Sequence, residues 1–168
     1  MKKALLLTLL FIASFSTGYA QSKAEKEAAA QARYEKAKAA LESKDFVIVP
    51  DRYEKKDGTV ETNTDDANFL SYEAAEFVYL QGSIVCNNGY TNKATVNSFE
   101  QKVDKKGNIT VIMQVSGSQI TARIEISVRK SSDYAEVIVS PSKGDTKMFS
   151  GEVVPRSQAK YYKKSNII

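Results

Sequence analysis

Along residues 109–129 the chain alternates with a period of two. Ile120, Ala122, Ile124, Ile126 and Val128 are apolar, while Thr121, Arg123, Glu125, Ser127 and Arg129 are polar. A strand with one buried and one wet face segregates residues this way and a helix does not. Just upstream, Ile109, Val111, Met113 and Val115 alternate with Thr110, Ile112, Gln114 and Ser116, and Ser116-Gly117-Ser118 supplies a turn between the two runs. The pair reads as a hairpin. Ala135, Val137 and Val139 predict the next strand after Ser131-Ser132-Asp133, and residues 148–154 another after Lys143-Gly144-Asp145, completing a four-stranded antiparallel meander. Upstream, residues 46–49, 67–70, 77–80 and 94–103 read as strands separated by Asp57-Gly58, residues 71–75 and Asn87-Asn88-Gly89. About eight strands at roughly ten-residue spacing predict an all-β domain over residues 45–155, either an antiparallel, lipocalin-like barrel or a sandwich.

An N-terminal α-helix is expected to precede this domain over residues 21–44. That stretch is rich in Ala, Lys and Glu, contains no Gly or Pro, and opens on Ser22-Lys23-Ala24-Glu25, a capping-box pattern. Ala30, Tyr34, Ala37 and Leu41 form its apolar stripe, with only Tyr34 and Leu41 large. So thin a stripe predicts loose docking or a solvated spacer more readily than a coiled-coil seam.

The first 20 residues change which part of the chain folds. Lys2 and Lys3 precede an apolar run over residues 4–13 broken by Thr8, and Gly18-Tyr19-Ala20 stands before Gln21, the pattern of a signal peptide cut after Ala20. The run is about half the ~20 residues that cross a bilayer. The expectation is therefore an exported protein, most readily periplasmic, and not an integral membrane protein. Without Lys2 and Lys3 the chain carries 22 basic and 20 acidic residues, and residues 45–154 alone are net acidic by four. Residues 156–168 form a basic tail in which Arg156, Lys160, Lys163 and Lys164 accompany Tyr161 and Tyr162 without an acidic residue. Four cations give little affinity for a polyanion at physiological salt, so a solvated, frayed tail is expected and nucleic acid is not an expected partner.

The inventory of chemistry is short. There is no His, which excludes a histidine base and histidine metal ligands. Cys86 is the one cysteine, so no intrachain disulfide forms, and a nucleophilic role lacks a His partner. No GxxxxGK[ST] or GxGxxG phosphate loop occurs. Asp65-Asp66, with Asp57 and Glu61 nearby, offer hard oxygen donors of the kind calcium prefers, but not at EF-hand spacing, and turn chemistry accounts for them better. Asn108-Ile109-Thr110 matches the N-glycosylation pattern, to which a bacterial-type exported protein gives no meaning. Phe46, Phe69, Phe77, Tyr79, Phe99 and Phe149 would line a ligand cavity if the barrel were hollow or fill a core if it were packed. No catalytic, cofactor-binding or metal-ligating residue is assigned and no cofactor is expected.

Several segments together are similar to a known family: Asn68-Phe69-Leu70, Asp104-Lys105-Lys106-Gly107-Asn108-Ile109-Thr110-Val111, Ala122-Arg123-Ile124-Glu125-Ile126-Ser127-Val128, and Phe149-Ser150-Gly151-Glu152-Val153-Val154-Pro155. The family is a secreted or periplasmic one of Bacteroidota, defined only as a domain of unknown function. The likeness runs from about Leu41 to Pro155 and implies an all-β domain after a short helix, with no catalytic residue to carry over. The Gly-rich turn usual in that family near Asn88-Gly89 continues here as Tyr90-Thr91-Asn92-Lys93. The functional expectation is a non-enzymatic binding module of the cell envelope, whose partner is an apolar small molecule held inside or an envelope component met on the surface. The alternative is a structural or adaptor protein in which the helix positions the domain and the tail touches an anionic surface.

Overall fold

The computed structural model describes residues 22–168 with their side chains; the expected signal peptide, residues 1–20, and its cleavage site lie outside the described residues. One helix, α1 (Lys2–Ser43), leads into ten strands: β1 (Phe46–Ile48), β2 (Arg52–Glu54), β3 (Val60–Thr62), β4 (Phe69–Glu73), β5 (Phe77–Gln81), β6 (Thr91–Val103), β7 (Ile109–Gly117), β8 (Thr121–Val128), β9 (Tyr134–Pro141) and β10 (Lys147–Pro155). Neighbours pair antiparallel in the order β1-β4-β5-β6-β7-β8-β9-β10, and β10 returns to β1 through Phe46↔Pro155, Val47↔Val154 and Ile48↔Val153. The result is a closed eight-stranded up-and-down barrel, which resolves the choice between barrel and sandwich. Closure removes the sheet edges that a sandwich would have to protect.

Most expected strands fall where the pattern placed them. The one expected over residues 67–70 is β4 (Phe69–Glu73), so residues 71–73, expected to separate two strands, pair with β5 instead, and the turn shrinks to residues 74–76. The register carries the alternation into three dimensions. Ile124 lies opposite Met113 and Val139, and Ile126 opposite Val111 and Val137; Met113, Val139, Val111 and Val137 are buried. Two strands were not legible. β2 and β3 form a hairpin around Asp57-Gly58 that leaves the barrel beside β10. Each has only three residues, mostly exposed, so neither carries a buried face to produce a pattern.

β1 and β2 both pair with β10 and are separated by Val49-Pro50-Asp51. Gly151 of β10 stands opposite the break, and a Cβ there would lie 2.3 Å from the Val49 carbonyl oxygen. Only a residue without a side chain lets the two backbones approach so closely.

Helix α1 does not match the expectation of loose docking. Its C-terminal half enters one end of the barrel: Tyr34, Ala37, Ala40 and Leu41 are buried and belong to the interior cluster. Tyr34 Oη donates to the Gly107 carbonyl at 2.7 Å in the turn between β6 and β7, and Arg33 lies 3.6 Å from Asp133 in the turn between β8 and β9. The small size of Ala37 and Ala40 is what permits this fit, since a larger stripe would hold the helix away from the rim. The N-terminal part, residues 22–29, is exposed on every side, as expected of a solvated spacer, whereas the C-terminal half buries one face.

The opposite end is closed by the segment between β5 and β6. It folds inward so that Val85 and Cys86 join the interior cluster, and Ile120 covers the rim beside them. Phe46, Phe149 and the partly buried Phe99 pack with this cluster. The interior is thus filled by side chains from end to end, and the aromatics expected either to line a cavity or to fill a core do the latter where they face inward. Among the described residues, no helix is long and apolar enough to cross a membrane.

Candidate functional site: the outer wall of strands β4 to β6

Two of the buried apolar side chains, Val47 and Phe69, stand apart from the interior cluster. On β4 the inward residues are Leu70 and Tyr72, so Phe69, Ser71 and Glu73 face outward, yet Phe69 and Ser71 have no solvent exposure. The register extends the same outer face across β5 and β6. Phe69 lies beside Gln81 and Thr91, Ser71 beside Tyr79 and Lys93, and Glu73 beside Phe77. Gln81 and Thr91 are also fully buried. Uncharged polar groups that face away from a barrel are ordinarily wet, and their burial requires a covering layer with its own hydrogen bonds.

The covering layer is the basic tail, which corrects the expectation that it is solvated and frayed. After a 3₁₀ turn, η1 (Arg156–Gln158), it runs extended along the wall. Gln81 reads its backbone: Nε2 donates to the Tyr162 carbonyl at 2.8 Å, and Oε1 accepts from the Lys164 amide at 2.9 Å. Gln81 is itself fixed by donating to the Ala67 carbonyl at 2.7 Å and by accepting from the Thr91 hydroxyl. The Tyr162 amide donates to the Asp66 carbonyl at 3.0 Å, the Ile168 amide to the Thr91 carbonyl at 3.0 Å, and the Lys93 amide to the Ile168 carbonyl at 2.8 Å. Thr91 and Ile167 form a short parallel bridge.

Side chains add selectivity to these main-chain bonds. The Tyr161 ring packs edge-on against Phe69 with centroids 4.7 Å apart. Lys163 Nζ lies 3.0 Å from both carboxylate oxygens of Glu73 and 3.2 Å from the centre of the Tyr79 ring. Its salt bridge is largely shielded, with 25% and 16% of the two side chains exposed, so it is less screened than a surface pair. Desolvation, then the Glu73 charge, pushes the Tyr161 phenol above its ordinary range. Lys164 Nζ donates to the Gly89 carbonyl at 2.6 Å, and Arg156 pairs with Asp45 at 2.6 Å. Three of the four tail cations are therefore engaged by the protein itself.

The remaining sequence candidates do not assemble a second centre. Asp57 accepts from the Thr59 amide in the β2–β3 turn, and Glu61 accepts from the Tyr53 hydroxyl and from Lys55. Asp65 accepts from the Ala67 amide in a separate turn. Among the described residues no three His, Cys, Asp or Glu side chains converge on one point. Cys86 Sγ is buried, 3.3 Å from the Gly82 carbonyl and 3.3 Å from Asn92 Nδ2, and burial raises its thiol pKa, which disfavours the nucleophilic thiolate. Asn108 accepts from the Lys130 amide and donates to Asp104. At the end opposite α1, a cleft of about 370 Å³ is lined by residues that include Tyr53, Lys56, Ile84 and Asp145. Lys56 and Asp145 pair with each other across it at 2.8 Å.

The fold and the site define a closed antiparallel β-barrel with a helical plug, a filled interior and a strapped outer wall. The chain belongs to the DUF4251 family, described as a domain of unknown function, which matches residues 28–153. A crystal structure of a DUF4251 family protein from Bacteroides eggerthii is similar, with a TM-score of 0.69 and 26% identity over 79% of this chain and 94% of that one. No curated protein matches the chain. The residues of the strap lie beyond the matched family segment.

Proposed function

We propose that this protein is an exported, periplasmic, non-enzymatic binding module of the cell envelope that works through its outer surface. The observation that carries this reading is the contrast between the two faces of the sheet. The interior is occupied by one continuous apolar cluster, which argues against an apolar small molecule as the partner. The outer wall of β4–β6 buries hydrogen-bonding side chains that read an extended backbone. The structural alternative loses support because the helix is spent as a plug and three of the four tail cations are engaged internally.

Two measurements test the reading. Mass determination of the protein recovered from the periplasmic fraction should give a first residue of Gln21; retention of residues 1–20 would count against export. A photo-crosslinking residue introduced in vivo at Lys93, exposed on the outer face of β6 beside Tyr79, should give discrete adducts with envelope proteins, and the same residue at the exposed Lys105, on the turn near α1, should not. Equal labelling from both positions, or a small apolar molecule released from the purified protein on denaturation, would refute it.

A further inference from the structure

We infer that the outer wall of β4–β6 is a recognition groove for an extended peptide segment that carries an aromatic residue followed two positions later by a lysine. The protein's own tail is then a built-in competitor for that groove. This inference rests on the binding-module reading above and adds the chemical class of the partner.

The tail contacts divide into the two kinds that peptide grooves use. Main-chain bonds from Gln81, Asp66, Thr91 and Lys93 hold any extended segment, as strand-addition sites do. Two side-chain subsites set the sequence. Phe69 offers an aromatic edge-to-face contact to Tyr161, and Glu73 with the Tyr79 ring forms a clamp for the Lys163 ammonium. A carboxylate and an aromatic face together suit a cation on a long stem. Tyr162, between the two reading positions, contributes its backbone carbonyl and is 60% exposed as a residue. The pattern read is therefore aromatic, any residue, lysine.

The tail also has the layout of an exchangeable ligand. Arg156 is anchored on Asp45 by a side-chain and a backbone bond. The wall contacts are made by Tyr161 and the residues after it. Between these anchors the Ala159 amide donates only to Arg156, within the turn. A segment of the same chemistry from another protein finds every groove partner without rearrangement of the barrel. It must outcompete a tethered ligand at an effective concentration on the order of millimolar, so the groove discriminates against weak partners.

The test uses the complete protein carrying Tyr161→Ala and Lys163→Ala, which vacates both subsites without shortening the chain. A fluorescent peptide of residues 159–168 is titrated against it and against the unaltered protein by anisotropy, with circular dichroism checking the fold of each. Saturable binding to the double variant is expected, about ten- to a hundredfold tighter than to the unaltered protein, where the tail competes. Adding Glu73→Lys to the double variant should abolish binding, and a peptide with Lys163 replaced by Glu should fail in the same way. Absence of saturable binding to a folded double variant overturns the inference. So does concentration-dependent dimerisation of the unaltered protein that disappears in the double variant, which would assign the groove to tail exchange between two copies. Neither result touches the crosslinking test above, so failure of the peptide class and failure of the binding-module reading are distinguishable.

Discussion

Replacing Leu41 by Ala tests whether α1 is a structural plug. Leu41 has no solvent exposure and belongs to the interior cluster. Removing three buried carbons forfeits about 2.4 kcal/mol of transfer free energy at roughly 0.8 kcal/mol each. A cavity against the rigid rim of a closed barrel adds about another 1 kcal/mol. The better helix propensity of Ala returns only about 0.2 kcal/mol, so the expected loss is about 3 kcal/mol. That is a large share of a stability that for domains of this kind is about 5–15 kcal/mol. Equilibrium urea unfolding is the assay, and with a slope of about 2 kcal/mol per molar the midpoint should fall by about 1.5 M. Tyr34→Phe, which deletes the hydrogen bond to Gly107, should cost about 1 kcal/mol, and Glu27→Ala on the exposed half should stay within about 0.5 kcal/mol. A loss below about 1 kcal/mol for Leu41→Ala at unchanged slope would refute the plug and restore a loosely attached helix.

Gly151→Ala should lower the melting temperature sharply, with a cost of about 2–3 kcal/mol, because its Cβ would meet the Val49 carbonyl at 2.3 Å in backbone that closes the barrel; an unchanged melt would contradict the close approach. Stability should be flat between about pH 5 and 8, since the chain has no His. It should fall below about pH 4: Lys55 holds Glu61 below the ordinary carboxylate range, Lys56 does so for Asp145, and the Thr59 and Asn108 amides do so for Asp57 and Asp104. The stability linked to each is present above the unfolded carboxylate pKa and is lost as pH falls through the depressed one, which urea midpoints across pH will follow. Tyr134 titrates the other way. Burial, then its hydrogen bond to Asp51, pushes the phenol up to about 12, so its contribution is present below about pH 10 and lost as pH rises toward 12, readable from phenolate absorbance and from its absence in Tyr134→Phe. Cys86 should react slowly with a thiol reagent in the native protein and promptly in urea, because its sulfur is buried and its pKa raised; equal rates would show that the segment between β5 and β6 does not close the barrel.

The barrel was legible wherever one face of a strand is buried and the other wet, because that asymmetry writes a period of two into the residues. β7, β8, β9 and β10 meet the condition. β2 and β3 do not, and nothing in Arg52-Tyr53-Glu54 or Val60-Glu61-Thr62 distinguishes a short exposed strand from a polar loop. The plug was half legible. Tyr34, Ala37 and Leu41 stood out as a stripe, but whether small residues mean weak docking or close docking depends on the width of what receives them. The strapping of the tail is not legible in the sequence because its partners are remote: Lys163 meets Glu73 and Lys164 meets Gly89, ninety and seventy-five positions away. A run of cations carries no mark of an acidic residue waiting so far upstream.

One signal for the covered wall was nonetheless present in the strands. β4 is buried through four consecutive residues, Phe69 to Tyr72, and on β5 the outward Phe77 and Tyr79 alternate with the inward Val78 and Leu80. In an antiparallel barrel with a solvated exterior, those outward places should be polar, as they are at Arg123 and Glu125 on β8. Apolar or aromatic residues in both phases mean that both faces are covered, and by different things. The inner phase meets the core. The outer phase needs a second layer, and because Gln81 and Thr91 share that face, the layer must bring backbone donors and acceptors as well as apolar surface. An extended segment meets all of these demands in a way that a lipid chain or a bare apolar patch would not. The wall therefore specifies its occupant by hydrogen-bond geometry first and by the Phe69 and Glu73 subsites second. That is why conservative changes at Gln81 should weaken every peptide alike, whereas changes at Glu73 should alter which peptide is preferred.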